Sequence, residues 1–398
     1  MVCVGFWALY WQIMIKFMVE TSHFDFGIYY YSGRQIWSNP RRFYEEDYGY
    51  SIGIAYLPFF LVLWAISLSL LPYNISYFIW YIFIYLFAFL FILEFNKILT
   101  LLEVKERNYR FLFLIIISNG WLVLHQFALS QSKFLVGLIL FYIIRRELQY
   151  KKMDLEKSIK YYWWTYFLFI LIVGMVPYFM ILLLIYIFHD IHKEELFAKL
   201  NLKKYGIVIV MILAQNFLFF LHPILIFDFL RIWRRYQERQ FELKHFYLLF
   251  INDVFSISDV IKFAVSLTLL IIMYIVAVIL IITKKIRLID KFSYFAVSFL
   301  FLNYLAYRVL VILLPLTLLL FIPFLKQDVK GNEFIKKNKI VLLGFLSVSG
   351  IYLVVERVNP YYPYFEGMVA GYLICTCILG ICLLIFCKYK QSNIKEEN

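Results

Sequence analysis

Long apolar runs, separated by short polar segments, fill almost the whole length of the chain. An α-helix needs about 20 apolar residues to cross the roughly 30 Å hydrocarbon core of a bilayer, and most of the runs approach or exceed that length. The pattern predicts about twelve membrane-spanning helices. They lie at about 2–19, 51–71, 76–95, 111–127, 133–145, 163–188, 206–222, 259–283, 292–307, 309–325, 340–356 and 367–388.

The composition supports this prediction, because 64% of the 398 residues are hydrophobic and only 16% are charged. A soluble domain is about half apolar and a quarter charged. We therefore predict an all-α, multi-pass integral membrane protein that forms a single domain over residues 1–398. Its membrane would be the cell membrane or, in a eukaryote, that of the endoplasmic reticulum. The apolar runs also hold or adjoin the cysteines, which we interpret as small hydrophobic residues: Cys3, Cys375, Cys377, Cys382 and Cys387.

The formal net charge is +13, which in a soluble protein would suggest nucleic acid as a partner. Here Lys and Arg gather in the short loops between apolar runs, where they orient a membrane protein and touch anionic headgroups. Membrane lipids are therefore the predicted partners of these charges, and nucleic acid is not.

Two polar segments, 20–50 and 223–258, are too long to be simple turns. The loops 189–205, 284–291 and 326–339 are rich in lysine, which favours the cytoplasm. With twelve spans both termini are then cytoplasmic, and both long segments form external loops.

This assignment also puts the basic loops 97–110 and 146–162 outside, against the positive-inside tendency. An alternative with thirteen spans splits 163–188 into a hairpin at Pro177 and moves those loops inside. We retain the twelve-span model, in which Pro177 kinks one long helix.

The spans at 111–127 and 133–145 are short, and the stretch HQFALSQSK interrupts them. Short or broken spans are tolerated where they line a cavity within the protein. The interruption places His125, Gln131 and Lys133 together, and we predict that His125 and Gln131 bind substrate.

Residues 27–38 have the period of an amphipathic helix that lies in the membrane interface. Asn39-Pro40 ends it, because the residue before proline disfavours helix. The apolar face is formed by Ile28, Tyr29, Ser32, Gly33, Ile36 and Trp37. The polar face carries Tyr30, Arg34, Gln35 and Ser38.

Asp25 lies where the first span meets this helix, at the boundary between lipid and water. A carboxylate there can deprotonate an incoming hydroxyl, and nearby cations can stabilise a departing phosphate. The alternative is that Asp25 caps the helix. The candidate cations are Lys16, Arg34, Arg231, Arg234, Arg235 and Arg308. For Arg308 the alternative is a side chain that snorkels from a helix end. For Arg231, Arg234 and Arg235 it is a surface helix on anionic headgroups.

The stretch DFGIYYYSGRQIWSNPRRFYEEDYGY, followed by IAYLPFF, resembles the N-terminal signature of GT-C glycosyltransferases that use polyprenyl-phosphate sugars, most closely glycosyltransferase family eighty-seven. The Gly-Gln motif of that family is similar to SQSKFLVGLILFYIIRR, in which Ser130 replaces the glycine. The matching positions are Asp25-Phe26, Tyr29-Tyr30, Pro40, Tyr44, Tyr56-Leu57-Pro58, Gln131 and Leu314-Pro315-Leu316.

This resemblance implies transfer of a sugar, typically mannose, from a polyprenyl- or dolichyl-phosphate carrier to a glycolipid or glycan acceptor on the external face, with inversion. Asp25 would be the general base, and Tyr29, Tyr30 and Tyr44 would contact substrate. The first long loop would form the reaction chamber, and the segment 223–258 would close over it.

The chain departs from the family pattern at Val176, where many members carry a lysine before the proline. Some GT-C enzymes hold a divalent metal with two acids at the loop motif, whereas His23-Phe24-Asp25 offers one acid. We therefore predict no cofactor and no metal site. The alternative metal ligands form an acidic run that we interpret as solvated: Glu45, Glu46 and Asp47.

Two other functions remain open from the sequence. A transporter or lipid flippase would show an internal repeat and acids in the middle of its spans, and neither is evident. A non-catalytic membrane subunit would tolerate Asp25→Asn apart from the loss of a helix cap.

Overall fold

A computed structural model of the chain describes residues 24–42, 44, 56–104, 110, 132–189, 199–232, 259–283, 286–302 and 309–322. Within these residues all regular secondary structure is helical, which confirms the all-α prediction for this part of the chain. The α-helices are α1 (Phe24–Ser38), α2 (Pro58–Ala65), α3 (Tyr73–Leu101), α4 (Lys133–Lys152), α5 (Ile159–Met175), α6 (Met180–His189), α7 (Lys199–Gln215), α8 (Phe217–Leu221), α9 (Asp259–Ile282), α10 (Leu288–Leu302) and α11 (Leu310–Leu318). Short 3-10 helices cover Pro40–Arg42, Leu68–Leu70, Pro177–Phe179 and Leu319–Phe321.

Helix α3 has 29 residues and is, among the described residues, the one helix long and apolar enough to cross a membrane. The segments Ile159–Met175, Pro177–His189 and Leu270–Ile282 are apolar but shorter. The predicted span 51–71 is wrong as one helix, because the chain there forms α2 and then the 3-10 helix Leu68–Leu70. Pro72 ends this irregular part, and its fixed φ suits the residue that precedes α3.

Helices α3 and α4 run side by side in the same direction. The Phe91 and Phe141 rings are 5.3 Å apart, and the Glu94 carboxylate pairs with Arg145 one turn further along both helices. Gly137 allows the close approach, because a Cβ atom there would lie 2.9 Å from the Phe91 ring.

The predicted span 163–188 is wrong: the chain reverses at Pro177 instead of kinking. Val176 is extended, with φ −143° and ψ 81°, as expected for a residue that precedes proline. After the 3-10 turn, α6 returns antiparallel to α5, and the Tyr186 ring packs 5.9 Å from Tyr166 and 5.2 Å from Phe169. Apolar burial on both helices therefore holds a hairpin.

The hairpin brings the basic connections to one end of the helices, which we call the basic end: Lys97, Arg145, Lys157, Lys204 and Arg287. The Lys204 ammonium lies over the Tyr162 ring at the start of α5. Helix α10 packs Phe292 on Phe169 and Phe299 on Tyr178, so its first residues point away from the hairpin turn. The described parts of 97–110 and 146–162 thus share an end with those of 189–205 and 284–291, as in the thirteen-span alternative.

The opposite end holds α1, the Pro177 turn and the start of α4, and we call it the aromatic end: Tyr29, Tyr44, Tyr56, Lys133 and Tyr178. Helix α1 packs on α2 and on Leu68–Leu70. The Trp37 indole Nε1 donates to the carbonyl oxygen of Ala65 at 2.7 Å, and Gly33 approaches Ser69 so closely that a Cβ atom would overlap it.

Candidate functional site

Helix α1 carries the predicted catalytic residue. It runs through Phe24–Ser38, so the predicted helix at 27–38 and its end before Pro40 are confirmed. Asp25 lies within α1, one helical turn before Tyr29, which contradicts the alternative in which Asp25 precedes and caps a helix that begins at residue 27. The side chain of Asp25 lies outside the described part of the structure.

The three predicted substrate-binding tyrosines of this region are all at most 1% exposed. The Tyr30 hydroxyl donates to the carbonyl oxygen of Leu71 at 2.7 Å, so the prediction that Tyr30 lies on the polar face is wrong. Leu71 lies between α2 and α3. It contacts the face of α1 for which the helical period predicted exposure to water. The Tyr30 hydroxyl therefore lies against the backbone between α2 and α3.

Tyr29 and Tyr44 both contact Tyr56. The hydroxyls of Tyr29 and Tyr56 are 2.8 Å apart, and the Tyr44 hydroxyl donates to the carbonyl oxygen of Tyr56 at 3.0 Å. Burial raises the pKa of Tyr44 well above its usual value, because an ionised phenol would be desolvated there. Tyr56 thus joins α1 to the end of the 20–50 segment.

A pair of tryptophan rings packs against the Tyr29 ring. The ring centroids of Trp64 and Trp80 are 4.7 Å apart, and Tyr29 lies 5.1 Å from Trp64 and 6.1 Å from Trp80. These aromatic contacts stabilise the position of the Tyr29 ring, whose hydroxyl contacts Tyr56.

A buried cation, Lys133, lies over the ring of Tyr56. Lys133 is the first residue of α4, its side chain and backbone together are only 6% exposed, and its Nζ lies 5.4 Å from the centroid of the Tyr56 ring. A lysine buried at the positive end of a helix is unfavourable unless negative charge or π electrons compensate it. The Tyr56 ring supplies π electrons here, and the ammonium group lies at the positive end of α4, where an anion would also be favoured.

Ser132 adds a second polar group to this place. It is the N-cap residue of α4 but makes no side-chain cap, it is 1% exposed, and its Oγ has no hydrogen-bond partner among the described residues. The first N–H groups of a helix also lack intrahelical acceptors. Helix start, hydroxyl and ammonium together have the chemistry of a phosphate site.

The residues before the hairpin turn at Pro177 also contact this site. The backbone N–H of Leu57 donates to the carbonyl oxygen of Gly174 at 3.0 Å. Beside it, Nε2 of the buried Gln215 donates to the carbonyl oxygen of Ile170 at 2.7 Å, while Oε1 of Gln215 has no partner among the described residues. The aromatic end therefore also holds a buried acceptor that a hydroxyl could satisfy.

The predicted phosphate-binding arginines that the structure describes lie elsewhere. Arg34 is exposed with its guanidinium carbon 5.4 Å from the centroid of the Tyr30 ring, and Arg231 is an exposed residue that pairs with Asp228 at 3.0 Å. Each arginine contacts a residue three or four positions before it, at the surface of its own segment. The other predicted site residues lie outside the described residues: Lys16, His125, Gln131, Arg234, Arg235 and Arg308.

The described beginning of the segment 223–258 lies against the first loop. The Tyr44 ring is 5.5 Å from Phe229 and 6.1 Å from Phe219. Both long segments therefore reach the aromatic end. Within the described residues, no group of three His, Cys, Asp or Glu side chains is placed to hold a metal ion.

The sequence pattern indicated Lys133, whereas Ser132 and Gln215 are identified only by the structure. A serine directly before an apolar helical run is a recognised helix-start signal, so Ser132 could have been found. Nothing in the sequence around Gln215 indicates that α7 packs on α5. Comparisons of the chain with family models, with curated proteins and with solved structures found no match.

Proposed function

We propose that this chain is a membrane-embedded glycosyltransferase that moves a sugar, in the first instance mannose, from a polyprenyl- or dolichyl-phosphate carrier to a glycolipid or glycan acceptor. The observation that carries the proposal is the buried pair Ser132 and Lys133 at the start of α4. Lys133 lies over the ring of the same tyrosine, Tyr56, whose hydroxyl contacts Tyr29 on the helix of Asp25.

Apolar side chains on the outside of the helices support a lipid environment. Phe78 is 66% exposed and Ile82 is 50% exposed on α3, and Ile275 and Ile282 of α9 are 53% and 61% exposed. Soluble proteins rarely expose apolar surface in continuous patches of this kind. On the 29-residue α3 such a face is long enough for a bilayer core of roughly 30 Å.

The leaving group of the reaction suits the site at α4. When the bond between the anomeric carbon and the phosphate oxygen breaks, that oxygen keeps the electron pair and gains negative charge. The Lys133 ammonium, the Ser132 hydroxyl and the positive end of α4 would stabilise this charge in a buried place.

The attacking group needs a base. In the proposed step the acceptor hydroxyl attacks the anomeric carbon from the side opposite the phosphate, so a new C–O bond forms with inversion. Asp25 takes the hydroxyl proton. Two observations support this assignment: Asp25 precedes Tyr29 by one turn of α1, and the Tyr29 hydroxyl lies 2.8 Å from that of Tyr56.

The charge distribution supports an external site. Positive residues favour the cytoplasmic side, so the basic end would face the cytoplasm. The aromatic end, with α1 and Lys133, would then face outward in a multi-pass protein, where lipid-linked sugars and their acceptors meet.

The test is sugar transfer by the purified full chain in detergent, with polyprenyl-phosphate mannose as donor, with and without a chelator. We expect Asp25→Asn and Lys133→Met to remove at least 99% of the transfer, because general bases and charge stabilisation contribute about 10²–10⁴-fold. Lys133→Met should also weaken donor binding, and Asp25→Asn should not. The exposed residues Glu156 and Lys160 give matched controls, Glu156→Gln and Lys160→Met, that should keep wild-type rates.

Full activity of Asp25→Asn would refute its role as the base. If the wild type transfers no sugar from several donors, the transferase proposal fails. The result would then favour the alternatives, a lipid transporter or a non-catalytic subunit. If Lys133→Met loses transfer but still binds the donor, only the assignment of Lys133 to the donor phosphate would be refuted.

A further inference from the structure

Gln215 is a polar residue that is almost completely buried. It is the last residue of α7, and it is only 1% exposed. Its amide reaches α5, where Nε2 donates to the carbonyl oxygen of Ile170 at 2.7 Å. Burial of an amide away from water is costly unless both its donor and its acceptor have hydrogen-bond partners.

The bond to Ile170 determines which way the amide of Gln215 faces. A carbonyl oxygen accepts hydrogen bonds and cannot donate them, so the amide nitrogen must face Ile170. Oε1 lies on the other side of the amide, and it has no hydrogen-bond partner among the described residues. Since an amide oxygen only accepts, the partner that it lacks is a hydrogen-bond donor.

Gly174 provides the space that this amide occupies. A Cβ atom at Gly174 would lie 2.8 Å from Nε2 of Gln215 and 3.7 Å from Cβ of Phe60. Glycine is less favourable than alanine within a helix, and here its missing side chain allows the amide to lie against α5.

Gly174 also connects the amide to the proposed transferase site. Its carbonyl oxygen accepts a hydrogen bond from the backbone N–H of Leu57 at 3.0 Å. Leu57 directly follows Tyr56, and Nζ of Lys133 lies 5.4 Å from the centroid of the Tyr56 ring. The amide of Gln215 and the ammonium group of Lys133 are therefore connected through two adjacent residues of one short segment.

We propose that Oε1 of Gln215 accepts a hydrogen bond from a hydroxyl group of the sugar that is transferred. This inference rests on the proposed function and deepens it, because it assigns a residue that selects the sugar. Each hydroxyl group of a hexose can donate to an amide oxygen. In the donor the sugar is attached to the phosphate, so Lys133 and Gln215 would hold adjacent parts of one molecule. The contact makes and breaks no covalent bond.

A buried acceptor of this kind distinguishes between sugars. A sugar that lacks the required hydroxyl group leaves Oε1 without a partner, at the cost of desolvating the oxygen for no hydrogen bond. Sites that bind a hydroxyl group reject analogues without it far more strongly than apolar pockets reject a missing methylene group. The alternative occupant is a buried water molecule. Water would satisfy Oε1 with every donor, so it predicts no dependence on a single hydroxyl group.

The experiment measures kcat/KM of the purified full chain in detergent. The donors are polyprenyl-phosphate mannose and a series of analogues that each lack one hydroxyl group of the sugar. We expect the wild type to use one analogue about 10- to 100-fold less well than the complete sugar. Gln215→Met keeps the length of the side chain and removes the amide, so it should lower kcat/KM for the complete sugar and abolish the discrimination against that analogue.

The neighbouring Asn216 provides the matched control. Its Nδ2 donates to the carbonyl oxygen of Ile212, four residues earlier in the chain, at 2.8 Å. Asn216→Leu also removes an amide, but it should discriminate between the sugars as the wild type does. If Gln215 only joined α7 to α5, Gln215→Met would lower kcat/KM by the same factor for every donor.

The outcomes distinguish this inference from the proposed function. Equal use of all analogues by the wild type would overturn the role of Gln215 even if Gln215→Met fails to fold, and the transferase proposal would stand. Equal losses for every donor in Gln215→Met would do the same.

Thermal unfolding with polyprenyl-phosphate mannose and with polyprenyl phosphate covers the case in which the wild type transfers no sugar. Greater stabilisation by the sugar-bearing lipid in the wild type, but not in Gln215→Met, would support sugar recognition without the transferase. Equal stabilisation of the wild type by the two lipids, or none by either, would refute both proposals.

Discussion

Nε of Arg145 lies 2.5 Å from Oε2 of Glu94 and joins α4 to α3, and the two side chains are only 16% and 10% exposed. Just beyond the end of α3, Glu103 pairs with Lys152 of α4 at 3.3 Å, with both side chains more than half exposed. Both pairs connect α4 to α3 or to the residues that directly follow it, and they differ in burial, so their contributions to stability can be compared.

We expect Glu94→Gln to lower the free energy of unfolding by about 1.5–3 kcal/mol, because it leaves a partly buried guanidinium without its counter-charge. Glu103→Gln should cost less than about 1 kcal/mol, since water screens an exposed pair. Denaturant unfolding in detergent measures both changes. Equal losses would show that the Glu94 pair is solvated and would refute this interpretation.

Gly174 marks a contact that admits no side chain. A Cβ atom there would lie 2.8 Å from Nε2 of Gln215, so Gly174→Ala must displace the amide that bonds Ile170. We expect a loss of about 1–3 kcal/mol in the free energy of unfolding. Gly206, also within a helix, has open space around it, and Gly206→Ala should gain up to about 1 kcal/mol. A loss in both variants would point to a general effect of alanine.

Tyr44 should make stability depend on pH above 10. Burial raises its pKa in the folded state, so the neutral phenol contributes stability that is complete below the unfolded pKa near 10 and is lost as the pH rises beyond it. Tyr44→Phe should cost about 1 kcal/mol at neutral pH through the lost hydrogen bond to Tyr56. Above pH 10 its stability should fall less steeply than that of the wild type, by up to about 1.4 kcal/mol per pH unit.

Unfolding of wild type and Tyr44→Phe between pH 8 and 11 provides the measurement. Tyr31→Phe, at a ring that is 39% exposed, is the control and should follow the wild-type slope. Parallel curves for all three proteins would rule out Tyr44 as a source of the pH dependence.

The hairpin at Pro177 predicts which sites face the same side of a membrane. Single cysteines at the exposed positions Lys160 and Lys203 should react with an impermeant maleimide from one side, and a cysteine at Asn39 should react from the other. The background would lack the five native cysteines. Labelling of Lys160→Cys and Lys203→Cys from opposite sides would restore the twelve-span arrangement.

The local features of the fold were predictable from the sequence. Helix α1 ends where Asn39-Pro40 indicated, because the restriction before proline acts through the backbone alone. The helical character of the described residues follows from the continuous apolar runs. These signals need no knowledge of tertiary contacts.

The reversal at Pro177 and the burial of Tyr30 were not predictable in the same way. A proline within an apolar run is compatible with a kink or with a turn, and the contacts of Tyr186 with Tyr166 and Phe169 decide between them. Tyr30 is buried because the chain at Leu71 packs against α1 and accepts a hydrogen bond from the Tyr30 hydroxyl. Both outcomes depend on which distant segment packs on which face, and helical period does not contain that information.

The hydrogen bond from Leu57 to Gly174 delays the completion of the aromatic end during protein synthesis. Gly174 follows Leu57 by roughly 120 residues, and a ribosome adds about 5–20 residues per second. Gly174 is therefore synthesised on the order of ten seconds after Leu57, and the bond forms only then. During that interval α1, α2 and α3 must hold Tyr29, Tyr56 and the tryptophan pair without the hairpin that later covers them. The dense aromatic packing of these N-terminal helices thus gives the nascent chain a stable nucleus on which the remainder of the site assembles.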